Sequence, residues 1–94
     1  TMYSQLMILG ANEDQADRGA RIYSEQLKQG NSALYAYMCA RLSILAIDQG
    51  NIELFAEFFE KMVREDNISI EKAEEQILLI AEESVEPPAK RQKH

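Results

Sequence analysis

Apolar residues in this chain recur at intervals of three and four, and no stretch keeps the strict alternation that a strand requires. The pattern is cut by isolated glycines and asparagines, and one tripeptide does this twice: Gln29-Gly30-Asn31 and Gln49-Gly50-Asn51. Met2 to Leu9 forms a short apolar opening that ends at Gly10. Asn12 then reads as a helix N-cap, with Gln15 reaching back to it and Glu13 and Asp14 in the first turn. Ala16, Ala20, Tyr23 and Leu27 share one face, and Asp14–Arg18 and Asp17–Arg21 are spaced as ion pairs. Gly30 is placed to close this helix in a left-handed conformation.

The next helix is expected to begin after Asn31 or Ser32 and to run to about Gln49. It is apolar on nearly every face (Leu34, Tyr35, Met38, Cys39, Leu42, Ile44, Leu45, Ile47), with Arg41 as the one charge in 33–47. Such a helix belongs in the middle of a bundle or against a partner chain. By the same pattern Gly50 closes it and Asn51 caps a helix to about Asp66. Its buried stripe is Ile52, Phe55, Phe59, Met62 and Val63, widened by Leu54 and Phe58, with Glu57–Lys61 and Glu60–Arg64 opposite. Ser69 caps a last helix to about Ser84, with Ile70, Ala73, Ile77, Ile80 and Ala81 as its core positions. Pro87-Pro88 stops the pattern. The expectation is an all-α fold, a compact antiparallel bundle of four to five helices with short Gly-Asn turns. Residues 1–86 form a single helical domain, and 87–94 a disordered basic tail.

Ninety-four residues support one modest core. No apolar run is long enough to span a membrane. The opening residues carry no basic stretch of the secretory kind. Thr1 ahead of Met2 points to a tag remnant or a piece of a longer chain. The formal charge of −6 hides a division, since the last six residues add +3 and residues 1–88 carry −9. Between Glu53 and Glu86 there are 3 basic and 11 acidic side chains. So acidic a body repels nucleic-acid backbones and favours apolar or basic protein partners, unless it serves only solubility.

Chemistry-bearing residues are sparse. The carboxylates lie among basic partners on solvated faces, with no apolar setting to shift one toward acid–base work. Cys39, the single cysteine, sits in the most apolar stretch and reads as a buried small hydrophobe. His94 is the only histidine, far from Cys39, so no metal-ligand cluster forms, and the four glycines stand apart rather than in a phosphate loop. No catalytic, cofactor-binding or metal-ligating residue is nominated, no cofactor is expected, and the protein is not expected to be an enzyme. Asn67-Ile68-Ser69 matches a glycosylation sequon with nothing else to support secretion.

Ala46 and Gly50 stand at the spacing of a DNA-binding helix-turn-helix. The recognition helix would then open Ile52-Glu53-Leu54-Phe55, with no group to read a base or neutralise a phosphate. Leu42-Ser43, Gly50-Asn51, Ile52, Phe59 and Met62 fall near the large, small and turn positions of a helical repeat. Residues 42–62 thereby resemble one hairpin of the tetratricopeptide or pentatricopeptide type. The pattern departs at Phe55, where a small residue is usual, and at Asp66-Asn67, where a proline is. The resemblance implies a peptide-binding scaffold, or RNA binding for the pentatricopeptide kind. Two generic antiparallel helices joined at a glycine turn match the same residues.

The functional expectation is a small acidic regulatory or adaptor protein that acts by protein–protein contact, pairs as a homodimer and is cytoplasmic. Its nominated partner-binding residues are Tyr35, Tyr37, Phe55, Phe58 and Met62. The alternative is a nucleic-acid-associated factor using the tail Lys90-Arg91-Gln92-Lys93, which would also serve as a nuclear address in a eukaryote.

Overall fold

The computed structural model describes residues 1–45 and 47–84; the predicted basic tail and its Lys90–Lys93 run lie outside the described residues, as does Ala46. Five helices follow one another: α1 Met2–Ile8, α2 Glu13–Lys28, α3 Ala33–Ser43, α4 Gln49–Arg64 and α5 Ile70–Ser84. No strand occurs among the described residues. The fold is all-α, a compact bundle in which each helix packs on the next and α5 also reaches α3.

The capping chemistry explains most of the boundaries. Asn12 accepts from the Gln15 N–H at 2.8 Å while the Gln15 side chain accepts from the Asn12 N–H at 3.0 Å, the reciprocal box read from the sequence. At the other end of α2, Gly30 adopts φ +94°, and the Asn31 and Gly30 N–H groups return to the Gln26 and Leu27 carbonyls. That pair of bonds is a Schellman closure, and Gly10 (φ +104°) ends α1 in the same way. Ser32 caps α3 through the Tyr35 N–H, and Ser69 caps α5 through the Lys72 N–H.

The second Gln-Gly-Asn does something different. The expected helix to Gln49 stops at Ser43, and Gln49, Gly50 and Asn51 form the first turn of α4 behind Asp48. Gly50 is an ordinary helical residue, not a closing one. The break has local and tertiary causes. The Ser43 hydroxyl donates to the Ala40 carbonyl at 2.7 Å, competing with the helix ladder. The Ile47 N–H turns back onto the Leu45 carbonyl at 2.7 Å, and the Gln15 side-chain amide donates to the half-buried Ile44 carbonyl at 3.3 Å. Turning here lays Leu45 and Ile47 against the core instead of extending them past it.

Packing centres on α3, whose Ala36, Met38, Cys39, Ala40, Leu42 and Ser43 are buried. On one side Leu6, Ala11, Ala16 and Ala40 form a small cluster with α1 and α2. On the other, Met38, Cys39 and Leu42 join Ile52, Phe55, Ala56 and Phe59 of α4 and Ala73, Ile77 and Ala81 of α5. The apolar helix is therefore covered within its own chain. At Gly19, midway along α2, an added Cβ would stand 2.4 Å from Leu6 Cδ1 and 3.3 Å from the Ala40 carbonyl oxygen. Only a residue without a side chain lets α1, α2 and α3 meet so closely. The predicted α2 and α5 faces hold in part: Ala16, Ala73, Ile77 and Ala81 are buried, whereas Leu27, Ile70 and Ile80 are exposed at their edges. Among the described residues Asp17–Arg21 and Glu60–Arg64 form as ion pairs, and Asp14–Arg18 and Glu57–Lys61 do not.

Candidate interaction surface

The five nominated side chains do not share one surface. Phe55 is 8% exposed and belongs to the core beside Phe59. Its burial in the same cluster as Phe59 and as Met38 and Leu42 of α3 leaves Phe55 little surface to offer a partner. Tyr37 is half-buried, with its ring centroid 6.3 Å from that of Phe59. Tyr35 and Met62 pack against the edge of the core. Phe58 alone stands out, 47% exposed, one turn from Leu54 at 44%. Solvent thus reaches the outer side of α4, and the widening of its stripe was an unburied face.

Between α3 and α5 lies a polar cluster that the sequence did not reveal. Arg41 donates to Glu74 at 2.5 Å, across from α3 to α5, with the side chains only 14% and 18% exposed. The Tyr37 hydroxyl donates to the same carboxylate, and Arg41 approaches the Tyr37 oxygen at 3.3 Å. Burial, then the bond to Glu74, holds the Tyr37 hydroxyl above its ordinary pKa. Arg41 Nε is buried without a hydrogen-bond partner, so the cluster is incompletely satisfied. It ties two helices together rather than opening to a substrate.

Burial pushes the Cys39 thiol up to about 11, with the Glu53 charge adding to it. At neutral pH it is an uncharged core atom and a poor nucleophile. Among the described residues no group of three or more His, Cys, Asp or Glu is placed to hold a metal ion. Nor is any helix among them long and apolar enough to cross a membrane.

Two surfaces differ sharply in charge. Residues 1–12 carry no charged side chain, and Met7, Ile8 and Leu9 are exposed there, Ile8 to 82%. Residues 49–84 carry ten carboxylates against three basic side chains. Along α4 a shallow groove of about 410 Å³ runs between Glu57, Glu60, Lys61, Arg64 and Glu65. Arg64 is paired with Glu60 at 3.4 Å. The α1 edge is neutral and greasy, whereas α4 and α5 are acidic, with Leu54 and Phe58 exposed on α4. No protein-family model matches the chain, and no curated protein or solved structure is significantly similar to it.

Proposed function

We propose that this is a small acidic adaptor or regulatory protein that works through protein–protein contact and pairs with a second copy through its α1 edge. The observation that carries the reading is the charge-free run of exposed Met7, Ile8 and Leu9 on an otherwise acidic body. Three consecutive large apolar side chains in water favour a contact that removes them from it. A two-fold contact sets each surface against its own copy. Acidic patches then repel, so the neutral edge is the part of this surface that self-pairs without an electrostatic penalty. The need for a partner shifts accordingly from α3, which its neighbours cover, to α1.

Sedimentation equilibrium tests the pairing. At micromolar concentrations the chain is expected at twice its 10.7 kDa mass, and Ile8→Glu at the single mass with unchanged helix content. A wild-type monomer, or an Ile8→Glu dimer, would show the reading to be wrong.

A further inference from the structure

We propose that the outer face of α4 is a docking site for a basic amphipathic helix, with Leu54 and Phe58 as its apolar anchors. This rests on the reading of the protein as one that works by binding partners. Leu54 and Phe58 lie four residues apart, so their side chains stand about 5–6 Å apart on one face. Each leaves almost half of its surface in water although the bundle is complete beneath them. Phe58 is the one phenylalanine of three in this position, since Phe55 and Phe59 are buried.

Charge selects the occupant. Glu57 stands one turn from Leu54, Glu53 is beside it, and Glu65 lies two turns beyond Phe58; all three are exposed. Of the two cations on α4, Arg64 is held by Glu60, leaving the face negative around Lys61. An acidic partner, including nucleic acid, meets repulsion here, and a second copy brings its own carboxylates to the same place. A partner with lysine or arginine flanking a leucine stripe meets opposite charge at the rim and apolar side chains in the centre. The described residues offer no strand edge to extend, so the matching mode is a helix laid along a helix, anchored at i and i+4 spacing.

The test is a calorimetric titration of the full chain with a synthetic amphipathic helix made of leucine and lysine, and with its glutamate-for-lysine counterpart. The lysine peptide is expected to bind, more weakly as salt rises, and the glutamate peptide not to bind. Phe58→Ser should weaken binding about tenfold or more, as loss of a central aromatic anchor does. Glu57→Lys should weaken it without altering the fold, and serves if Phe58→Ser unfolds. Equal binding to wild type and both variants would mean unspecific attraction to carboxylates and overturn the proposal, as would binding of the glutamate peptide. If Phe58→Ser instead dissolves a dimer, a second copy occupies the face and the proposal falls. If substituting Glu for Lys90, Arg91 and Lys93 is needed before any peptide binds, the chain's own basic segment is the occupant, and it falls again. A monomeric wild type that binds the lysine peptide through Phe58 would remove the α1 pairing and leave this site standing.

Discussion

Gly19→Ala tests the closest packing in the molecule. The new Cβ would sit 2.4 Å from Leu6 Cδ1, where carbon atoms in contact keep about 3.5–4.0 Å. Leu6 is fully buried, so it can yield only by moving the seven-residue α1 or adopting a poor rotamer. Overpacking of this kind costs about 1–3 kcal/mol, while alanine in place of glycine inside a helix returns about 1 kcal/mol. The single substitution should therefore destabilise by about 0–2 kcal/mol, too close to zero to be decisive. A double-mutant cycle with Leu6→Ala decides it. Leu6→Ala alone should lose about 2–5 kcal/mol by leaving a cavity. In that background the Leu6 clash is gone and only the 3.3 Å approach to the Ala40 carbonyl oxygen remains, so Gly19→Ala should stabilise by up to about 1 kcal/mol. The coupling, read from urea denaturation of the four proteins, is then about 1–3 kcal/mol. Additivity within about 0.5 kcal/mol would refute the argument that Leu6 is what requires a glycine at position 19.

The twin tripeptides give a second contrast: Gly30→Ala should lose about 1 kcal/mol or more, because its φ of +94° strains any Cβ. Gly50→Ala should instead gain up to about 1 kcal/mol, since its φ is helical and a new Cβ meets only Asp48 Oδ2 at 3.8 Å. Losses of similar size at both sites in urea denaturation would show that Gly50 closes a helix after all. Stability should also fall at alkaline pH. The folded chain holds the Cys39 proton up to about 11 against an ordinary 9.0, so this contribution is full below pH 9 and lost as pH rises through 11. Cys39→Ala removes it, so the stability gap between wild type and variant should be constant below pH 9 and narrow above; a gap unchanged to pH 11 would contradict the assignment.

Helix existence was legible because it depends on periodicity and capping, both local. The Asn12–Gln15 box, Gly30 and Ser69 each act through residues three to five positions away, and each is where the pattern placed it. The end of α3 was not legible, because it depends on the Gln15 side chain reaching the Ile44 carbonyl and on Leu45 and Ile47 finding the core. Identical tripeptides thus took opposite roles: local chemistry permits either, and tertiary contacts chose. On α4 the period separated the buried stripe, with Phe55 and Phe59, from its widening at Leu54 and Phe58, but not how much of that widening the neighbouring helices would cover. Gly19 carried a usable signal, a glycine inside a strong helical pattern among Ala16 and Ala20, whose usual meaning is close backbone approach. The Arg41–Glu74 pair spans 33 positions, and nothing in a single sequence joins residues so far apart.

That pair has a consequence for how α5 finds its place. Ala73, Ile77 and Ala81 repeat at one-turn intervals, and a smooth aliphatic stripe resists sliding along its neighbour only weakly. A slip of one turn, about 5.4 Å, would bring Ile70 or Leu78 to the place of Glu74 and leave the Arg41 guanidinium facing hydrocarbon. The cluster works as a keyway, admitting the last helix at one register and rejecting its neighbours a turn away. Its worth lies in the alternatives it makes unfavourable more than in the energy of the bond itself.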